Sequence, residues 1–364
     1  MLNNLQVLRA VAAYAVVLYH AQPFIERLHP LPFHSHLGAA GVDIFFVISG
    51  FIMVYASDRS HCGPAAFWRD RLIRILPLYW ITTFAIVAVS SVGFSPSGLH
   101  NWDGSDLLTS LFLLPNIRLD GVSEPILSPA WTLIYEAFFY FFFGLFLLSG
   151  RISRATTILS VVFLSFWFMG VVFKPQSFVI EYYTNAILLE FALGCLLGLL
   201  YLKSRALDLP HGATLSVLAI GVAIAVLIAQ DWYLGVEVTR TGEIRLMRLG
   251  LPATVIVAGA LILERSNHRA SHRGALLLGS ASYATYLIHP LILHGVYFLA
   301  AKVLPAGSIF SATFYLFAAF AAVCLFSVGL HLWVEAPLTR SLKQLSRSQS
   351  GRTGIPMPKG ASAR

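Results

Sequence analysis

The chain has 364 residues, of which 57% are hydrophobic and only 12% charged, with a mean hydropathy of +0.74. An average soluble domain is about 25% charged, so 17 Asp+Glu and 25 Lys+Arg are too few to coat a soluble protein of this length. That excludes an ordinary cytosolic enzyme and indicates an all-α, polytopic transmembrane bundle, in which the net charge of +8 has meaning only through its distribution.

Apolar runs long enough to cross a bilayer occur at 5–22, 41–57, 76–94, 130–149, 155–173, 184–202, 213–230, 248–264, 281–300 and 312–334. Each is near the ~20 residues that a ~30 Å hydrocarbon core requires, which predicts about ten helices. The first run lacks a basic leader and carries Arg9 and His20, so it reads as a retained span, not a cleaved signal. Leu107–Leu114 is too short to span and ends at Pro115; it is expected as an interfacial or re-entrant piece in a 95–129 loop. The membrane domain is expected over 1–337, and the basic Ser/Gly/Pro-rich remainder, 338–364, as a disordered cytoplasmic tail. Cys62, Cys195 and Cys324 are far apart, with neither paired nor ligand-like spacing, so no disulfide framework and no metal site is expected.

Most of the Lys and Arg fall in the segments after the second, fourth, sixth, eighth and tenth runs. The positive-inside rule then places both termini in the cytoplasm and the 95–129 loop outside. This basic collar accounts for the net charge without nucleic acid.

Charged side chains inside the spans are costly, by roughly 3 kcal/mol each on insertion scales, and need a partner or a polar cavity. Arg9 and His20 are eleven residues apart, about three helical turns, and so share one face about 16 Å apart along the axis. Snorkelling of both to headgroups is the plainer reading, but it does not require a shared face. In the predicted orientation His20, Asp43 and Glu136 lie at comparable depth and are expected to gather in the outer half of the bundle. A histidine with a carboxylate neighbour is suited to general base chemistry. The plainer roles are a helix N-cap for Asp43 and a buried ion pair with Arg9 for Glu136. Arg69, Arg71 and Arg74 form a patch at the cytoplasmic end, with Arg71 and Arg74 on one helical face. Arginine suits bidentate phosphate contacts, although a lipid-headgroup anchor explains the same residues. Ser49-Gly50 offers a small spot for close packing. Glu190, His289-Pro290 and the pair His331/Glu335 are further polar residues within spans, each fit for a cavity or a structural hydrogen bond. The phenylalanines of 138–146 read as lipid-facing bulk.

These residues resemble the acyltransferase 3 family of integral-membrane acyltransferases. Arg9 through His20 is similar to its Arg/Lys-ten residues-His motif, and Gly41-Val-Asp-Ile-Phe-Phe-Val-Ile-Ser-Gly-Phe51 to its second signature. Arg71-x-x-Arg74, Trp131-Thr-Leu-x-x-Glu136 and Ser282-Tyr-x-x-Tyr286-Leu-x-His289-Pro290 resemble later elements in the same order. The likeness runs over about 5–337 and is strongest to the exopolysaccharide-acetylating branch. It implies transfer of an acyl group, usually acetyl from acetyl-CoA and without a metal, to a carbohydrate hydroxyl in the bacterial cytoplasmic (inner) membrane. By the same resemblance His20 is the catalytic histidine with Arg9 as its motif partner, and Arg71 and Arg74 serve CoA; Asp43 and Glu136 are expected to act beside His20, Arg69 beside the other two arginines, and Trp131, Tyr286 and His289 at the substrate. The implied partners are a lipid-linked or polymeric glycan, membrane lipids and polysaccharide-assembly proteins. The competing expectation is a transporter or flippase whose intramembrane charges line a permeation path.

Overall fold

The computed structural model describes residues 2–31, 34–60, 63–93, 102–117, 124–203, 211–234 and 242–352, and no strand occurs among them. Cys62, Arg118, Arg205, Arg240 and the tail beyond 352 lie outside the described residues. In chain order the helices are α1 (Asn3–Leu28), α2 (Ala40–Ser60), α3 (Pro64–Ser91), the short α4 (Gly104–Leu111), α5 (Trp131–Phe146) and α6 (Ile152–Phe173). They continue as α7 (Phe178–Tyr183), α8 (Leu188–Lys203), α9 (Gly212–Leu234), the single turn α10 (Glu243–Arg245) and α11 (Leu251–Arg265). The last four are α12 (Arg273–Ser280), α13 (Ser282–Val303), α14 (Ile309–Leu330) and α15 (Ala336–Arg352).

Among the described residues nine helices are long and apolar enough to cross a membrane. α1, whose 26 residues reach about 39 Å, is not among those nine, because its Asn, Gln, Arg and His content lowers its hydropathy. All ten expected runs are therefore helical, and the protein is a polytopic helical membrane bundle. The chain passes back and forth between two ends. At the proximal end, where α1 begins, the Asn3 amide donates to the Ala270 carbonyl at 2.8 Å and Arg265 to the Tyr201 carbonyl at 2.7 Å. At the distal end the Gly307 N–H donates to the Leu28 carbonyl at 2.7 Å and the His36 N–H to Asp231 at 2.7 Å.

Two boundaries differ usefully from expectation. α3 starts at Pro64, not 76, because proline is well placed in a first helical turn; the arginine patch is thus helical throughout. The chain also stays helical past 338, through Arg352, where Leu, Lys, Gln and Arg favour helix enough to offset the serines. α4 is the expected short piece: its N-cap Asp103 accepts from the N–H groups of Ser105 and Asp106, and Asp106 returns a bond to the Asp103 N–H. The Ser105 hydroxyl, followed by the Asp106 N–H, holds the Asp103 carboxyl below its ordinary range.

α1 is the central post, touching α2, α11, α12, α13 and α14. The tightest pair is α2 with α8. A methyl on Gly50 would strike the Phe191 carbonyl, and one on Gly194 the Val47 carbonyl, so both positions need glycine for the backbones to meet. The Cys195 thiol donates to the Gly50 carbonyl at 3.4 Å across this contact. The α5 phenylalanines are not simply lipid-facing. Phe139 and Phe143 are fully buried and only Phe141 is well exposed. Phe139 stacks on Phe191 at 4.6 Å and Phe138 on Tyr183 at 4.1 Å. An all-apolar helix shows no face in its sequence, and here neighbours on several sides cover it.

Candidate active site

The sequence places a cation, Arg9, two turns into α1, where lipid offers it no partner. The fold answers with a cavity of about 270 Å³ between α1, α2, α3, α5, α13 and α15. Arg9, Arg71, Arg74, Ser49, Glu136, Tyr140 and Tyr286 are among its lining residues. Arg9 feels Arg74 as a like charge and Glu335 and Glu136 as opposite ones. Glu335 in turn accepts from His331 Nδ1 at 2.8 Å, within a π-helical turn His331–Glu335 that widens the end of α14. Glu136 accepts from the Ser49 hydroxyl at 2.8 Å and from the Tyr140 hydroxyl. The Trp68 indole N–H donates to the Tyr140 carbonyl at 3.0 Å, bracing α5 against the arginine-bearing turns of α3. Three guanidinium groups thus face one cavity, with one oriented carboxylate to offset them.

Tyr286 connects this cavity to a pair of imidazoles. Its hydroxyl shares a hydrogen bond with the Thr132 hydroxyl at 2.8 Å and donates to the Pro129 carbonyl at 2.9 Å, joining α13 to the start of α5. Its carbonyl lies 2.8 Å from His289 Nδ1, and His289 Nε2 lies 3.4 Å from His20 Nδ1. His20 Nδ1 is also 2.9 Å from the Val16 carbonyl. A carbonyl only accepts, so both Nδ1 atoms carry the protons. His289 Nε2 is then an acceptor facing His20, and the lone pair of neutral His20 sits on Nε2. His289 is fully buried and His20 half-buried.

The expected meeting of His20, Asp43 and Glu136 does not form, because each carboxylate has found other partners. Glu136 turns to the arginine cavity. Asp43, fully buried, takes a bidentate ion pair from Arg245, with Nε–Oδ1 at 3.0 Å and Nη2–Oδ2 at 2.7 Å. Arg245 also donates to the Ala39 carbonyl at 3.3 Å and lies 5.7 Å from the Trp131 ring centroid. Glu190, fully buried, stands in the field of both Asp43 and Arg245. A buried carboxylate is tolerable only beside a cation, and Arg245 supplies it from the single turn that precedes a π-helical stretch, Leu246–Gly250. Arg245 stands outside the five basic segments on which the sequence-based orientation rests, and no motif marks it. The usable signal was Asp43 itself, an acid near the distal end of one span that requires a base at matching depth in another.

The remaining expected residues divide. Arg71 and Arg74 line the cavity, whereas Arg69 is not among its lining residues and stands 3.6 Å from Asp70. Tyr286 lines it; Trp131 and His289 support it from behind, Trp131 by accepting a bond from Tyr182 to its carbonyl at 2.7 Å. Lys343 also lines it, from a segment expected to be disordered. Among the described residues no cluster of three His, Cys, Asp or Glu is arranged to hold a metal.

Comparison with known proteins identifies the family. A match to the acyltransferase 3 family, described as an acyltransferase domain, covers residues 2–331. The exopolysaccharide production protein ExoZ of Rhizobium meliloti (strain 1021) is 34% identical over 310 residues, 84% of this chain and 91% of that protein. Nodulation protein 10 of Rhizobium leguminosarum bv. viciae is 27% identical over 80% of this chain and 83% of its own length. The putative peptidoglycan O-acetyltransferase YrhL of Bacillus subtilis (strain 168) is 30% identical over 78% of this chain, which spans only 47% of that longer protein. No solved structure matches. With the matched region running from α1 through His331, and with Arg9, His20, Arg71, Arg74, Glu136 and His289 all inside it, the chain belongs to the acyltransferase 3 family.

Proposed function

We propose that this protein transfers an acetyl group from acetyl-CoA to a carbohydrate hydroxyl, O-acetylating an exopolysaccharide or another cell-surface glycan in the bacterial cytoplasmic membrane. The observation that carries the reading is the convergence of Arg9, Arg71 and Arg74 on one cavity that Tyr286 and His289 connect to His20. The names of the relatives, exopolysaccharide production protein and peptidoglycan O-acetyltransferase, support the glycan acceptor. The distribution of Lys and Arg supports a cytoplasmic proximal end, which is where the arginine cavity lies and where CoA is found.

In this reading the arginines hold the donor's phosphates and orient the thioester along the α1 face towards His20. His20 Nε2, left unprotonated by the Nδ1 contacts, takes the proton from the acceptor hydroxyl. The alkoxide oxygen bonds to the acetyl carbon, the carbon–sulfur bond breaks, and the proton passes from the imidazolium to the CoA thiolate. Glu136, fixed by Ser49 and Tyr140, offsets the arginines when the donor is absent.

The test uses purified full-length protein, radiolabelled acetyl-CoA and a glycan acceptor. Label is expected in the glycan as an alkali-labile ester, and His20→Ala should lower the rate by about 10²–10⁴-fold with unfolding temperature unchanged. Undiminished transfer by His20→Ala would remove the catalytic assignment. Solute uptake without any transfer would instead favour a permeation path.

A further inference from the structure

Lys343 reaches the cavity from α15, outside the matched family region that ends at residue 331. The helix leaves α14 through the π-helical turn His331–Glu335 and packs against α3, the helix that bears Arg71 and Arg74. The same turn carries Glu335, whose charge acts on Arg9. α15 is therefore docked, by a fixed wide turn at its root and by contact along its side, over the side of the cavity where the arginines lie.

The charge inventory of the lining explains what such a wall is for. The lining carries Arg9, Arg71 and Arg74 with one carboxylate, Glu136, and Lys343 beside them, while Glu335 acts on Arg9 from outside the lining. The buried Nε of Arg71 has no hydrogen-bond partner among the described residues. A surplus of cations in a partly desolvated site is stabilised by an occupant that brings several negative charges and many acceptor oxygens. Phosphate oxygens do both, and a flexible lysine adds a point charge where rigid guanidinium forks already fix direction.

We propose that Lys343 is a phosphate-binding residue of this cavity, and that α15 forms one wall of the subsite that receives the donor's phosphates. The inference rests on the acetyl-CoA reading above for the identity of the donor, but the anion subsite itself is testable without it. Lys343 makes electrostatic contact with phosphate and takes no part in acyl transfer. An anionic lipid headgroup offers the same chemistry from a different source, and the experiment separates the two.

Equilibrium binding of CoA, of inorganic pyrophosphate and of pantetheine is measured on the full chain in neutral detergent, with and without added phosphatidylglycerol. Lys343→Ala should weaken CoA and pyrophosphate about tenfold, the scale of one charge-assisted contact, and Lys343→Glu should weaken them further. Lys343→Arg should stay within about threefold of the native chain, since the positive charge is kept. Pantetheine, which lacks the phosphates, should bind all variants alike. If Lys343→Ala, folded to the same unfolding temperature, binds CoA and pyrophosphate as tightly as the native chain, the proposal is overturned. It is equally overturned if the loss in Lys343→Ala appears only with phosphatidylglycerol present and is absent without it, for then Lys343 serves lipid. Lys343-dependent binding of pyrophosphate with no binding of CoA would keep the anion subsite and remove the acetyl-CoA reading instead.

Discussion

His289 Nε2 faces His20 Nδ1 at 3.4 Å, with the ring centroids 4.9 Å apart, and each imidazole also gives its Nδ1 proton to a carbonyl of its own helix. The pair is a chain of orientation: Tyr286 sets His289, and His289 helps set His20. Only Nε2 of His20 is left as the basic nitrogen. His289 is thus a positioning residue in the proposed reaction, acting through His20.

Replacing His289 by Ala removes that acceptor and opens space beside the ring. A misplacement of about 1 Å in a reacting group can cost about 100-fold. His289→Ala is therefore expected to lower kcat for acetyl transfer by about that factor while leaving the KM for acetyl-CoA nearly unchanged, because the arginine cavity is untouched. Steady-state kinetics that show a raised KM and a native kcat would move His289 into donor binding.

The Asp43–Arg245 pair predicts an asymmetry in stability. Arg245→Met strands two buried carboxylates, Asp43 and Glu190, without a cation, whereas Asp43→Asn leaves Arg245 beside Glu190. Breaking a buried pair costs about 3–5 kcal/mol, and Arg245→Met should lie at the upper end with Asp43→Asn clearly below it. Unfolding of the two variants in the same detergent gives the comparison. Equal losses would mean that Glu190 does not share the guanidinium.

Glycine positions make an equally sharp contrast. Gly194→Ala pushes a methyl into the Val47 carbonyl and must separate α2 from α8, a cost of about 1–3 kcal/mol. Gly221→Ala, on α9, meets nothing within 4 Å and should be neutral or stabilising by up to about 1 kcal/mol. Thermal unfolding of the two single variants checks the difference in sign.

The crossings were legible because a bilayer demands a helix of fixed minimal length, and the sequence has ten apolar runs that meet it. Arg9, Arg71, Arg74 and Glu136 were legible because charge in a span is conspicuous, and the structure does bring these four to one cavity. Their partners were harder to read. Arg245 sits 202 residues from Asp43, and counting charges by side of the membrane says nothing of which acid a given arginine meets. Lys343 lies in a basic stretch whose composition is that of a solvated collar, and only the packing of α15 on α3 distinguishes one lysine from its neighbours. Phe139 and Phe143 were illegible for the opposite reason: where every residue is apolar, lipid and protein neighbours leave the same trace.

The Asp43–Arg245 pair also bears on how the chain is made. The two residues are 202 positions apart, so at ~5–20 residues per second the ribosome delivers the guanidinium about 10–40 s after the carboxylate. During that interval α2 is complete and its acid has no cation from α10. Until then a charged Asp43 needs water or another polar partner, or else takes up a proton. The Asp43–Arg245 bond therefore forms only after the single turn that precedes the π-helical stretch Leu246–Gly250 has emerged.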